Sequence, residues 1–171
     1  MLLIQRDDFA DGLQLLRAAL EELGEVRSIP RYAVFFGPFA TGLARMGQTS
    51  EGLLVIEKAI EQCERNSECW IIAELLRIRG SLVQMQGSAA AATTAEEYFH
   101  RSLDLAHRQR ALSWELRSAT SLARLQRDQG RVREARDLLS SVYDRFTEGF
   151  GTADLRAAKQ LLDELADVAR E

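Results

Sequence analysis

The sequence predicts an all-α solenoid of about eight antiparallel helices, closed by a C-terminal capping helix. Three observations carry that expectation. Leu (25) and Ala (23) dominate the chain, whereas Val and Ile together number 14 and Pro only 2; this balance favours helix and starves a sheet. A small–bulky–small pattern at i, i+4 and i+7 recurs in Gly12-Leu16-Ala19, Gly52-Ile56-Ala59, Ala95-Phe99-Ser102 and Ala135-Leu139-Val142, with first members 40, 43 and 40 residues apart. Such positions share one stripe of a helix, which a neighbouring helix must cover. A second pattern pairs Ala40 with Gly47, Gly80 with Gly87 and Ala123 with Gly130, each seven apart. The first member admits a close helix partner, and the second suits the left-handed residue that closes a helix.

Taken in order, the helices are expected near 8–23, 31–46, 50–65, 69–86, 94–109, 112–129, 132–147 and 153–169. Asp7 or Asp8 can cap the first, and Pro30 precedes the second. Thr49-Ser50-Glu51 opens the third, Thr93 or Thr94 with Glu96-Glu97 the fifth, and Thr152-Ala153-Asp154 the last. The middle unit carries an insertion, SAAAATT (88–94), read as a lengthened turn or as an extension of the helix end. Connections are short, so consecutive helices pack antiparallel. Trp70, Leu75 and Leu76, and Trp114, Leu122 and Leu125, are expected in the core.

These units make a single domain over 1–171, with repeats near 7–24, 30–66, 69–109 and 111–148 and a capping helix at 152–170. The last helix suits a cap. Leu155, Ala158, Leu161, Leu162, Leu165 and Val168 fall on one face, and charged residues on the other. At the other end the first unit has its second helix but no room for its first. Leu2, Leu3, Ile4, Phe9 and Leu13 form a concentrated apolar set there, an edge expected to support self-association.

Composition narrows the function. A net charge of −4 argues against a globally basic nucleic-acid binder, and no apolar run approaches the ~20 residues of a membrane span. The opening MLLIQRDDF turns polar after four residues, unlike a signal peptide, so a cytoplasmic location is expected. Two cysteines, Cys63 and Cys69, are too few for a disulfide framework and are expected as reduced thiols. The two histidines, His100 and His107, sit two turns apart on one helix, about 10 Å by rise per residue. They cannot share a metal ion. No phosphate loop, dinucleotide fingerprint, HExxH or GxSxG motif occurs. Adjacent carboxylates such as Glu21-Glu22, Glu96-Glu97 and Asp163-Glu164 diverge on a helix surface and cannot act as a catalytic pair. No catalytic residue, cofactor or metal is expected, and the chain does not read as an enzyme.

The small residue within each first helix, the glycine seven later and the small–bulky–small stripe resemble tetratricopeptide (TPR) repeats. The period near 40 exceeds that family's usual ~34, so this is a TPR-like, long-helix variant. The resemblance implies a right-handed superhelix and a protein or peptide partner. Residues 74–166 resemble a more specific group. ELLRIRGSLV, AEEYFHRSLDLAHRQRALSWELRSATSLARLQRDQGR and EARDLLSSVYDRFTEGFGTADLRAAKQLLDEL look like the C-terminal helical region of bacterial adenylate or guanylate cyclase-related ATPases and of winged-helix or LuxR-like transcriptional regulators. DGLQLLRAALEEL extends the likeness towards the N-terminus. The resemblance implies a regulatory or scaffold arm in signal transduction, since none of the cyclase, ATPase or DNA-binding motifs of those larger chains is present.

One charge asymmetry hints at a site. Residues 101–136 hold nine arginines and four acids, or +5, which leaves −9 elsewhere. Arg110, Arg117, Arg124 and Arg131 recur every seven residues, a stripe that drifts only about 20° per step. The plain reading is a solvated face with intrahelical ion pairs. The TPR resemblance implies a sharper one, because first helices line the concave groove of such stacks. Carried over in register, the groove receives Arg77, Ser81 and Gln84 from one repeat and Arg117, Thr120, Arg124 and Arg127 from the next. Arginine forks bind carboxylates bidentately, so an acidic peptide or a C-terminal carboxylate is the expected ligand. Two alternatives stand beside it. A small-molecule sensor would use an aromatic pocket, with Tyr32, Phe35, Phe36 and Trp70 as candidates that are more simply core. A nucleic-acid binder would use RDQGRVREA, which superficially resembles a helix-turn-helix turn.

Overall fold

A computed structural model describes residues 9–24, 32–67 and 69–168. Among them are eight α-helices and no strand: α1 (Phe9–Gly24), α2 (Phe36–Arg45), α3 (Thr49–Arg65), α4 (Ile72–Gln84), α5 (Ala89–Arg108), α6 (Leu112–Asp128), α7 (Val132–Tyr143) and α8 (Ala153–Val168). Single 3₁₀ turns, Tyr32–Phe35 and Cys69–Ile71, lead into α2 and α4. The chain is thus an all-α solenoid. Pairs α2/α3, α4/α5 and α6/α7 stack in sequence, and α8 closes the end against α6 and α7. The first helices also pack on one another directly, α2 on α4, α4 on α6 and α6 on α8, and form one continuous layer.

Three of the four predicted stripes lie in the core, and in the first Leu16 is buried but Ala19 only half-buried. Ile56 and Ala59, Ala95, Phe99 and Ser102, and Ala135, Leu139 and Val142 are all buried. Ala40 and Ala123 are fully enclosed, and Gly80 is buried within α4. A β-carbon at Gly80 would lie 2.7 Å from the Phe99 ring; at Gly52 it would lie 2.7 Å from the Ala40 carbonyl oxygen. Neither is a distance that packed atoms tolerate, so the helices touch here because side chains are missing. Leu155, Ala158, Leu161 and Leu165 bury the inner face of the capping helix with Leu116, Ala119 and Leu139.

The turns follow the predicted glycines. Gly47, Gly87 and Gly130 have φ of 82°, 73° and 79°, the left-handed conformation that glycine adopts without a steric penalty. After α2, Gln48 N–H reaches back to the Leu43 carbonyl and Gly47 N–H to the Ala44 carbonyl; after α6, Arg131 N–H bonds the Gln126 carbonyl at 2.8 Å. These are the reversed bonds of a Schellman ending. Two second helices end without glycine. Ser67 follows α3 with φ 58°, and Arg110 follows α5 with φ 55°.

Several boundaries depart from expectation, α4 among them, which starts at Ile72 after the 3₁₀ turn and not at 69. α5 begins at Ala89, because Ser88 caps it by accepting a hydrogen bond from Ala91 N–H at 3.0 Å; the alanine run therefore lengthens the helix and does not form a turn. α7 ends at Tyr143, short of 147. The segment 32–35 is 3₁₀, and the regular helix starts at Phe36. Pro38 then falls in the first turn, where a missing N–H costs nothing. Trp70 also departs from its predicted core position. It sits in a 3₁₀ turn, is 39% exposed, and stacks on half-buried Trp114 with ring centres 5.8 Å apart. Leu75, Leu76, Leu122 and Leu125 are buried as expected.

Candidate partner-binding groove

The layer of first helices presents one polar face, built from successive turns of α4 and α6. Glu74 and Arg77 lie one turn apart on α4, the spacing at which helical side chains meet. Arg77 donates Nε to Glu74 Oε2 and Nη2 to Glu74 Oε1, both at 2.8 Å. From α6, Arg117 brings Nη1 to 2.8 Å from the same Oε1, and Arg77 Nη1 approaches Ser121 Oγ at 3.4 Å. Glu74 thus holds two arginines from two helices. Its side chain is 10% exposed, that of Arg77 17% and that of Arg117 38%. Burial alone would lower the Arg77 pKa, but the hydrogen bonds and charge of Glu74, with Asp154 behind, hold it above its ordinary value. Arg117 Nε also lies 3.7 Å from Asp154 at the start of α8.

The expected groove residues separate on this geometry. Arg77 and Arg117 are brought together, yet both are engaged by Glu74. Ser81 is half-buried and donates its hydroxyl to the Arg77 carbonyl at 3.2 Å; Gln84 is half-buried one turn on. Thr120 is buried and donates to the Leu116 carbonyl at 2.7 Å, so it offers nothing to a ligand. Ser121, four residues on from Arg117, takes the groove position in its place. Arg127 bonds Asp128 of its own helix and Glu164 of α8 at 2.7 Å, tying the cap to α6. Arg124 lies on the stripe of Arg117 and Ser121 at i+7 and i+3. It is exposed, and its guanidinium meets no carboxylate among the described residues.

The seven-residue arginine stripe is shorter than its spacing suggests. Arg110 falls in the turn after α5, and Arg131 in the turn after α6. Arg131 donates to Glu96 of α5 at 2.6 Å and to Glu134 at 3.3 Å; the hydrogen bond it gives Glu96 chiefly raises its pKa. Only Arg117 and Arg124 remain as a stripe on α6.

Beside the clamp, α2, α4 and α6 enclose a cleft of about 520 Å³. Gly37, Ile71, Leu75 and Ile78 line its apolar part, Trp70 and Trp114 its aromatic side, and Thr41, Arg45, Glu74, Arg77 and Arg117 its polar side. Of the aromatic residues suggested for a small-molecule pocket, Trp70 lines this cleft; Phe35 and Phe36 pack instead against buried core residues. The Tyr32 side chain lies outside the described residues.

Sequence reasoning missed Glu74, Ser121, Asp154 and Trp114 as groove residues. The Glu74–Arg77 spacing was a usable signal for the first of them. Of the proposed self-association edge, Leu2, Leu3, Ile4 and the Phe9 side chain lie outside the described residues. Leu13 is buried with Phe39 and Leu43. Cys63, buried, and Cys69, exposed, are not joined in a disulfide. His107 Nδ1 lies 3.1 Å from Glu115, a buried carboxylate that also accepts from Arg145. No group of His, Cys, Asp or Glu among the described residues is arranged to hold a metal ion. No helix among them is long and apolar enough to cross a membrane.

Comparison with solved structures supports the fold. The chain is similar to a protein of Podosopora anserina described as a putative kinesin light chain with nearly identical TPR-like repeats, with a TM-score of 0.68 at 17% identity over 96% of this chain and 81% of that one. A single-substitution form of the same protein gives a TM-score of 0.68 at 17% identity, covering 96% and 80%. At this identity the likeness shows a TPR-like fold. No protein-family model and no curated protein matches the chain.

Proposed function

We propose that this chain is a non-catalytic helical-repeat module that binds an acidic peptide of a protein partner along the first-helix layer. In this reading it serves as the regulatory or scaffold arm of a bacterial signalling ATPase or transcription regulator. One observation carries the ligand class: Arg124, on the groove stripe of α6, is a cation that meets no carboxylate among the described residues. Arg117, two turns back on the same stripe, is partly exposed. Arginine forks favour carboxylates through paired, charge-assisted hydrogen bonds. The TPR-like fold supports a protein partner, since such stacks offer an extended surface for one.

The test is isothermal titration of an acidic peptide, its Gln/Asn counterpart and a neutral peptide with a free C-terminal carboxylate into wild type and Arg124→Glu. The reading expects the acidic peptide to bind wild type and to lose about tenfold in affinity on Arg124→Glu, a typical cost for reversing a contact charge. Equal affinity across all combinations discards it. A second reading, a small-molecule sensor, rests on the cleft beside Trp70 and Trp114, whose mix of apolar lining and convergent polar groups suits a compact ligand. Crystals soaked with fragments that fill this cleft, without any peptide binding in solution, would favour it.

A further inference from the structure

We propose that Glu74 stands in for a partner's carboxylate until one binds, and that Arg117 is the cation it gives up to an acidic partner. This deepens the acidic-peptide reading and rests on it. The two arginines are held unequally. Arg77 meets Glu74 with two parallel N–H donors at 2.8 Å and is nearly enclosed. Arg117 meets Glu74 only as an ion pair, is 38% exposed, and has Asp154 at 3.7 Å from its Nε. An incoming carboxylate can therefore take Arg117 while the Glu74–Arg77 fork stays closed, so no buried charge is left unpaired.

The exchange fixes the kind of partner. Replacing one carboxylate by another on Arg117 leaves the number of ion pairs unchanged, so a single acidic group gains little. A partner gains when a second carboxylate reaches Arg124, which meets none among the described residues. Arg117 and Arg124 are two turns apart on α6, about 10 Å by helical rise. In a peptide bound as a polyproline-II helix, with three residues per turn and about 3.1 Å rise, acidic residues three positions apart share one face and match that span. Glu74 thus acts as a filter that passes peptides with two suitably spaced acids and rejects those with one.

Two capped peptides test this by titration calorimetry at low salt: an Ala/Ser peptide with glutamates at i and i+3, and the same peptide with one glutamate. On wild type the two-acid peptide binds and the one-acid peptide does not. Glu74→Gln, which keeps a hydrogen-bond acceptor for Arg77, tightens the two-acid peptide by about tenfold and brings the one-acid peptide into measurable range. Arg117→Gln weakens the two-acid peptide and abolishes the Glu74→Gln gain in the double variant. If wild type binds the two-acid peptide and a folded Glu74→Gln binds it no tighter, the stand-in role is wrong while the groove reading survives. If neither protein binds either peptide, both fall. Should Glu74→Gln fail to fold, Asp154→Asn removes the outer competitor from the exposed start of α8. It should tighten the two-acid peptide a few-fold, and an unchanged affinity overturns the inference.

Discussion

Ser118 donates its hydroxyl hydrogen to Ser102. The two Oγ atoms are 2.6 Å apart and fully buried, and Ser102 spends its own hydrogen on the Ala73 carbonyl at 2.6 Å. The order of donation follows from arithmetic, because each hydroxyl has one hydrogen. Three helices, α4, α5 and α6, are thereby joined through a two-step relay inside an otherwise apolar interface.

The relay predicts an asymmetry between two similar substitutions. Ser118→Ala leaves Ser102 bonded to Ala73 and removes one hydrogen bond, a loss of about 1 kcal/mol. Ser102→Ala removes two and strands the Ser118 hydroxyl in an apolar site, costing about 2–3 kcal/mol. The double variant should be less destabilised than the sum of the two. Urea denaturation midpoints of the three variants check it; equal effects of the single substitutions would contradict the direction of donation.

Gly52→Ala should destabilise despite the better helix propensity of alanine. Propensity returns up to about 1 kcal/mol. The new methyl, however, would meet the Ala40 carbonyl at 2.7 Å, and forcing helix backbones apart costs roughly 1–3 kcal/mol. A net loss of about 1–2 kcal/mol is expected by thermal or chemical denaturation. Gly80→Ala should behave alike, because the fully enclosed Phe99 ring cannot retreat.

Arg110→Gly should stabilise. Arg110 is exposed at φ 55°, and a left-handed non-glycine residue costs about 1–2 kcal/mol. Glycine recovers part of this while adding some freedom to the unfolded chain, so a gain of about 0.5–1 kcal/mol is expected from the denaturation midpoint. Gly47→Ala, at φ 82° with open space around it, should lose stability through backbone strain alone.

Acidic-peptide binding should weaken with salt. Arg124 is exposed, so its attraction is screened over a Debye length of about 10 Å at 0.1 M ionic strength and about 3 Å at 1 M. Titrations at about 50 mM and about 500 mM sodium chloride should differ severalfold for wild type and much less for Arg124→Gln. A salt-independent affinity would point to the apolar cleft as the seat of binding.

The fold was legible where one residue type has one physical use. Gly47, Gly87 and Gly130 mark helix ends because few other residues adopt their φ, and Ala95, Phe99 and Ser102 mark a buried face because their spacing matches the helix period. The start of α5 is ambiguous in sequence because Ala89–Ala92 contain no helix breaker; only the Ser88 hydroxyl fixes the boundary. Trp70 escapes the pattern because helical periodicity does not hold across a 3₁₀ turn. The candidate site was half legible. Arg117 and Arg124 follow from the repeat register, but the pairing of Arg77 and Arg117 on one glutamate needs the separation of α4 from α6, which no one-dimensional pattern encodes. The same distance relations turn Arg127 and Arg131 from groove and stripe residues into ties to Glu164 and Glu96.

The chain has two tryptophans, and both line the cleft with their rings stacked. The whole indole emission of the molecule therefore originates beside the Glu74 clamp. Any occupant that wedges between the rings or dries their surroundings will change intensity and wavelength without an attached dye. Excited beyond the tyrosine absorption band, the protein carries its own optical gauge of cleft occupancy.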